Sequence, residues 1–341
     1  MLKEYIKKLI HRQDLTATEM KEAIHLLIDS DNDIQIGAFM ALLHAKGETA
    51  SEIDAISNTL MAMMIKVHPK TPVLDIVGTG GDGCHTINIS TGAAILAAAC
   101  GVKIAKHGNR ASTSLCGSAD VLEKLGITMN LSAEEVANSI DNCNFGFCFA
   151  PNHHPALGKL KTIRKKLEVP TVFNILGPLL NPARADFLMI GVFKPELLSL
   201  ISDVLGKRNI KRALVFHGQG TDEITCMGRT QIIEINAGKQ HAFILEPRNY
   251  GFSSCTLDDL RGDSAEINAT ILTEVLQGKT GPIADTFILN AGLANYLYGL
   301  TDDIDTGIAL ARKKHRDGEA AKLLNHLKEY LSFRNERKIY A

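Results

Sequence analysis

Val73-Leu74-Asp75-Ile76-Val77 runs directly into Gly78-Thr79-Gly80-Gly81-Asp82-Gly83, and a second short apolar run, Val102 to Ala105, runs into Lys106-His107-Gly108-Asn109-Arg110. Between them lies Asn88-Ile89-Ser90-Thr91 and an alanine-rich stretch, Ala93 to Ala99. The apolar runs, bounded by proline and glycine, read as buried strands, and the alanine-rich stretch as a helix capped by Ser90 or Thr91. Strand, loop, helix, strand is the signature of a parallel sheet with right-handed crossovers. In such a sheet the glycine loop, the helix start and Lys106–Arg110 all fall at the carboxyl ends of neighbouring strands, where ligands bind. Glycines let backbone N–H groups approach phosphate oxygens, the helix start favours an anion, and Lys106, His107 and Arg110 add charge and donors. The pattern points to a phosphorylated, polyanionic small molecule. Ser-Thr before a helix is most often only a cap, so the inference rests on the three features converging.

One alternative is written in the same residues. Gly78-x-Gly80-x-x-Gly83 satisfies the dinucleotide fingerprint and follows a strand. In that fold the helix opens inside the glycine motif, whereas here it starts near Thr91. The second strand should also end in an acidic residue to hold ribose hydroxyls, and here it ends in Lys106-His107. No Gly-Lys-[Ser/Thr] follows, so the loop is not a Walker A loop either.

Working outward, the chain up to about Val67 reads as helices, with Leu2, Ile6, Leu9 and Ile10 at helical spacing. Thr16-x-x-Glu19 and Thr49-x-x-Glu52 fit the capping box, and Ile34 to Ala45, ended by Gly47, reads as a helix buried on more than one side. Ser118 to Leu125 is a further helix, and Ser132-x-x-Glu135 opens another. His154 to Leu167 reads as a basic helix carrying Lys159, Lys161, Arg164, Lys165 and Lys166; such a run is usually a solvated face. Phe187 to Val192 and Ala213 to Phe216 are strand candidates, with a polar loop, Gly218 to Glu223, after the second. Thr230 to Ile235 and His241 to Leu245 read as antiparallel strands, and the remainder as helix, clearest over Asp285 to Leu297. His153-His154 carries no metal reading, because adjacent histidines do not easily share an ion and no third ligand is spaced nearby.

Length and composition bound the classes. With 341 residues, 45% hydrophobic and 22% charged, the chain can bury a sizeable core as one large domain or two modest ones. A formal net charge of −1 argues against a broad footprint for nucleic acid. The seven cysteines are scattered, with no CxxC pair, and fit reduced thiols in a cytosol. The start lacks a signal-peptide profile and no apolar run is long enough to span a bilayer, so the expectation is a cytoplasmic protein.

Several motifs, in order, now resemble one family. Gly78-Thr79-Gly80-Gly81-Asp82, Asn88-Ile89-Ser90-Thr91, Lys106-His107-Gly108-Asn109-Arg110, Gly117-Ser118-Ala119-Asp120, Phe173 to Leu179 and Asp222-Glu223 are similar to those of anthranilate phosphoribosyltransferases. The resemblance covers nearly the whole chain. It implies an α/β fold of the nucleoside phosphorylase/phosphoribosyltransferase type, a small α-helical domain plus a larger α/β domain with a mostly parallel central sheet. The small domain would be residues 1–68 and about 157–180, the larger one 69–156 and 181–341. The activity implied is transfer of the phosphoribosyl group from 5-phosphoribosyl 1-diphosphate to the amine of anthranilate, with Mg²⁺, two ions per site, and a homodimer paired through the helical domain.

The family's roles carry over by motif. Gly78, Gly81 and Asp82 would hold the diphosphate through backbone groups, with Thr86 beside them. Asn88, Ser90 and Thr91 would contact phosphate at the helix start, Ser90 also binding magnesium. Lys106, His107, Gly108, Asn109, Arg110, Thr113, Ser114 and Ser118 would line the rest of the ribose-phosphate site. Asp222 and Glu223 match the acidic pair for the second Mg²⁺, which takes hard oxygen ligands. Asn109 and Arg164 match the anthranilate contacts, a guanidinium pairing two-pronged with a carboxylate. Lys106 and Arg164 are the expected catalytic residues. His107 reads as a packing and hydrogen-bonding residue beside the substrate. The chain departs from the family's usual pattern at Leu115, where a basic residue is common, at Cys116 for serine, at Gly158 for a basic residue, and at Glu168 and Pro170 for Gly and Arg. Two other readings stand beside this one. A pyrimidine nucleoside phosphorylase shares the fold, and a non-catalytic relative could bind nucleic acid; Lys106–Arg110 and the retained Asp222-Glu223 speak against each in turn.

Overall fold

A computed structural model describes residues 1–111 and 115–339. Thr113 and Ser114 lie outside the described residues. Four helices open the chain: α1 (Leu2–Ile10), α2 (Ala17–Asp29), α3 (Asp33–Lys46) and α4 (Ala50–Met63). Both expected capping boxes form, with Thr16 on the Glu19 N–H and Thr49 on the Glu52 N–H, each carboxylate reaching back to its cap. Such a cap stabilises a helix by about 1 kcal/mol. Gly47 ends α3 at φ 91°. The four helices pack α1 on α3 and α2 on α4 around Leu9, Met20, Ile24, Phe39 and Leu43. Two expected core residues are outside it: Ile10 is 57% exposed and Ile34 84%.

The α/β part runs β1 (Leu74–Gly78), α5 (Ile89–Cys100), β2 (Ile104–Gly108), α6 (Ser118–Lys124), α7 (Ala133–Cys143) and β3 (Phe145–Phe149). A return segment follows, with α8 (Ala150–His153), α9 (Gly158–Leu167) and α10 (Phe173–Leu176). It brings α9 against α3, beside the opening helices. Then come β4 (Phe187–Gly191), α11 (Leu197–Gly206), β5 (Arg212–His217), β6 (Thr230–Asn236) and β7 (Lys239–Leu245). The chain closes with α12 (Ala265–Leu276), α13 (Pro282–Tyr298), α14 (Ile304–Arg316) and α15 (Glu319–Ile339).

The seven strands form one sheet in the order β3-β2-β1-β4-β5-β6-β7, the first five parallel and the last two antiparallel. Strand order reverses between β1 and β4, so the loops after β1 and β4 leave the sheet at its switch point. The helix α5, nine of whose residues are buried, packs on β1 and β2 on one side and on α13, α14 and α15 on the other. Its small alanine side chains permit burial on all sides.

Three elements differ from the sequence reading. The helix after the glycine loop starts at Ile89, with Asn88 as its boundary, so Ser90 and Thr91 sit inside the first turn and do not cap it. The strand β3 has no counterpart in that reading; it follows α7 after one left-handed residue, Asn144 at φ 59°, too short a turn to stand out as punctuation. The basic helix expected from His154 is interrupted, because Pro155 lacks the N–H that would continue α8, and the run resumes only at Gly158. No helix among the described residues is long and apolar enough to cross a membrane.

Candidate active site

The floor of the site is a seam in the sheet. β2 and β3 stay in register over five pairs, and so do β1 and β4, but β1 and β2 share only Leu74–Ile104. Beyond that point side chains replace the ladder. The His107 N–H donates to Asp75 Oδ1 at 3.1 Å, and Asn181 Nδ2 donates to Asp75 Oδ2 and to the Ala105 carbonyl, both at 2.7 Å. Lys106 Nζ donates to the Ile76 carbonyl at 2.7 Å and to Ser90 Oγ at 3.2 Å. Lys106 was expected at a strand end; it lies inside β2, 2% exposed. Burial pushes its pKa down, and Asp75 and Glu223 oppose that. Burial likewise raises Asp75 to about 6 against the pull of Lys106.

Above this floor the glycine loop is closed by acids. Gly80 and Gly81 take φ +69° and +84°, which turns the chain so that the Gly80 N–H meets Asp222 Oδ2 at 2.6 Å. A Cβ at Gly78 would stand 2.2 Å from that same oxygen, so only glycine fits there. Glu223 Oε1 accepts from the Ser90 N–H at 3.3 Å, while Glu223 Oε2 is buried with no partner. The amide of Ser90, a residue expected on phosphate, and that of Gly80 in the loop are therefore held by carboxylates. Burial raises both acids, Asp222 to about 7 with Asp82 adding repulsion, and Glu223 to about 8 with Asp222 adding repulsion. Asp82 turns its Oδ1 to the Cys84 N–H at 3.0 Å, and Thr86 pairs with Arg261 in an isolated bridge. Thr91 is buried, its hydroxyl without a partner. Asn88 is engaged elsewhere: Nδ2 donates to the Cys116 carbonyl and Oδ1 accepts from Asn268, both at 3.1 Å.

The third part lies on the return segment and the loop after β2. The Arg164 guanidinium is partly buried, 5.5 Å over the Phe173 ring, with no carboxylate partner among the described residues. Desolvation lowers its pKa. His107 is buried and holds the Gly177 carbonyl at 3.1 Å through Nδ1, which leaves Nε2 as an unpartnered acceptor. Burial and His154, 5.3 Å away ring to ring, push its pKa down to about 3, so the ring is neutral. His153 and His154 spend one nitrogen each on the Ile65 and Leu180 carbonyls. Arg110, expected on phosphate, is instead paired two-pronged with Glu123 at 2.6 and 2.8 Å and with Asp120 at 3.2 Å. Asp120 also accepts from the Ala111 and Gly117 N–H groups, which ties both to the first turn of α6. Asn109 is exposed, with Oδ1 on the Arg110 N–H, and Ser118 Oγ reaches the Asn109 carbonyl at 3.4 Å. Gly108 ends β2 opposite Phe149.

Comparison with known proteins matches the chain to two family domains. Residues 3–66 match the helical bundle domain of the glycosyl transferase family and residues 70–321 its a/b domain. The chain is 44% identical over 325 residues to an anthranilate phosphoribosyltransferase of Chlamydia caviae, covering 95% of each chain. The chain belongs to the anthranilate phosphoribosyltransferase family. The family's enzyme from Thermus thermophilus superposes with a TM-score of 0.90 at 39% identity, covering 96% of this chain and 99% of that one. The Saccharomyces cerevisiae enzyme, in complex with PRPP and Mg, superposes with a TM-score of 0.89 at 30% identity, covering 97% and 98%.

Against the family's usual pattern, Leu115 is 62% exposed and Cys116 is buried, its carbonyl taken by Asn88. Glu168 stands left-handed at φ 53° at the end of α9, a conformation that suits the family's common glycine. Sequence reading missed Asp75, Asn181 and Asn268. A signal for the first was present, since an aspartate inside Val73-Leu74-Asp75-Ile76-Val77 must be buried with a partner. Asn181 reads as turn punctuation before Pro182, and nothing local marks Asn268.

Proposed function

We propose that this chain transfers the phosphoribosyl group of PRPP, 5-phosphoribosyl 1-diphosphate, to the amine of anthranilate, releasing pyrophosphate, a step of tryptophan biosynthesis. The observation that carries the reading is the acidic closure of the glycine loop. A loop shaped for phosphate has its Gly80 and Ser90 amides already on Asp222 and Glu223, so a polyanion is welcome there only together with a divalent cation. Ser90 Oγ, Asp222 and Glu223 are hard oxygen donors, and Glu223 Oε2 is buried without a partner. Among the described residues no three His, Cys, Asp or Glu side chains form a metal cage. That suits Mg²⁺, which takes one or two carboxylates and fills its shell with water and substrate phosphate. These residues would hold two ions. When bound, Mg²⁺ supplies neutralisation of the diphosphate as it leaves.

The chain's own groups do the rest. The Lys106 ammonium, fixed beneath Ser90, places positive charge under the leaving group without reorganisation. Gly78, Gly81, Asp82 and Thr86 line the loop, and Asn88 and Thr91 the helix start. Arg164, stacked over Phe173 and without a carboxylate partner among the described residues, suits the anthranilate carboxylate, with Asn109 as the second expected contact. The neutral His107 holds the return segment through the Gly177 carbonyl and packs beside the site. Arg110 and Ser118 act through the shape of the loop. The amine attacks directly, so positioning supplies much of the acceleration.

The larger frame follows the same reading. Residues 1–68 and about 157–180 form the small helical domain, and 69–156 and 181–341 the larger one. Exposed Ile10 and Ile34 on the helical part are suited to a homodimer contact, and seven free cysteines suit a reducing cytoplasm. Loss of anthranilate fluorescence with PRPP tests the activity: the signal should fall with Mg²⁺ and hold in excess EDTA. Folded protein that leaves the signal unchanged in both would sink the proposal.

A further inference from the structure

We infer that Asp75 and Asn181 are positioning residues for this reaction: the bond between them sets where β2 lies against β1, and so where the Lys106 ammonium sits beneath Ser90. This deepens the proposed function and rests on it.

The argument starts from the missing ladder. Everywhere else in the parallel part of the sheet, backbone bonds fix the register over five residue pairs. Between β1 and β2 they do so at one pair, so that against β1, though not against β3, the carboxyl end of β2 is placed by side chains. Ala105 is held through its carbonyl by Asn181, and His107 through its N–H by Asp75. Lys106 lies between them, reaching across the seam to Ile76 and Ser90. Asp75 and Asn181 join the flanking contacts to each other at 2.7 Å. Asp75 and Asn181 are 0% and 4% exposed, out of reach of bulk water. A continuous ladder would have fixed the strands without burying a carboxylate, a costly arrangement unless the seam serves something else.

A second tie runs to the acceptor side. Asn181 ends the return segment that carries Arg164, and its Oδ1 accepts from the Ala183 N–H at 2.8 Å, fixing the turn. The same segment touches β2 through the Gly177 carbonyl on His107. Asn181 therefore links the groups suited to the anthranilate carboxylate to the strand that carries Lys106. A shift of the seam moves the two reactants relative to each other, and misplacement of about 1 Å costs on the order of 100-fold in rate.

The test uses the full chain with Mg²⁺, reading kcat and both KM values from anthranilate fluorescence. Asp75→Asn sets an amide against the Asn181 amide and should lower kcat roughly 30- to 100-fold. The KM for anthranilate should stay within about threefold, since Arg164 is untouched. Asn181→Asp should behave alike. The double variant Asp75→Asn with Asn181→Asp restores both bond and charge, and should recover about tenfold in kcat over either single variant. Recovery stays partial because the Ala105 carbonyl still lacks its donor. If Asp75→Asn does not fold, Asn181→Ser gives the same kcat-against-KM reading. A kcat within about twofold of wild type, or a double variant no better than the singles, overturns the inference. Wild-type protein that does not turn over would instead overturn the proposed function.

Discussion

Around the glycine loop the lysine and both acids already have neighbours, though Glu223 Oε2 and the Thr91 hydroxyl do not. Lys106 rests on Ile76 and Ser90, Asp222 on Gly80, and Glu223 on Ser90. On the return segment the Arg164 guanidinium has, among the described residues, only the face of Phe173. The first region is built on strand ends inside the sheet, the second on α9, which is joined to its neighbours by a proline break and a left-handed Glu168. The contrast shows two ways to meet a ligand. Under the proposed function, the phosphate region is assembled in advance and its buried acids call for a metal to balance them. Under the same reading, the acceptor region holds a desolvated cation for the substrate carboxylate.

The sharpest way to break the comparison is to remove the acidic excess. Asp222→Asn with Glu223→Gln should lower turnover by about 100-fold or more at limiting Mg²⁺. The fold should persist or gain stability, because two mutually repelling buried acids are gone. Unchanged kinetics in that variant would take both residues out of the site. On the acceptor side, Arg164→Ala should raise the anthranilate KM on the order of 10- to 100-fold, the worth of a charged hydrogen bond, with little change in the KM for PRPP. The reverse pattern would reassign Arg164 to the phosphate region.

A subtler contrast appears in stability against pH. Burial lifts Asp222 to about 7 and Glu223 to about 8, so between the ordinary carboxylate range and these values the folded state binds more protons than the unfolded one. Metal-free protein should therefore lose stability as pH rises through about 5 to 8. Mg²⁺ should flatten that slope, because it stabilises the ionised pair. Thermal melts at several pH values, with EDTA and with Mg²⁺, check this; a metal-free Tm that rises across the window would contradict it. The smallest effect is expected at Glu168→Gly, which relieves a left-handed non-glycine residue. A gain of about 1 kcal/mol, or roughly 2 °C in Tm, should follow. A loss would mean that the Glu168 side chain makes a contact worth more than the strain.

Much of the site was legible before folding was considered. The glycine loop and Lys106–Arg110 announce phosphate chemistry through residue types at short spacing, whereas Asp222-Glu223 reads locally as an acidic turn and gains a metal role only from the family resemblance. What was not legible is how those groups are spent. Arg110 looked like a phosphate ligand and is held by Glu123, thirteen residues on. Asn88 looked like another and bridges Cys116 to Asn268, 180 residues away. The Gly80 amide is taken by Asp222 across 142 residues.

The sequence by itself determined the alternation of strand and helix, the capping boxes and the chemistry offered at the strand ends, because backbone preference and hydrogen bonding within a turn depend on near neighbours. The tertiary structure alone decided which charges are buried, which are paired and which stay free. Desolvation and pairing depend on groups brought together from far along the chain, and no local pattern encodes their meeting. Asp75 shows both: its place in an apolar strand was written in the sequence, and its partners, His107 and Asn181, exist only in the fold.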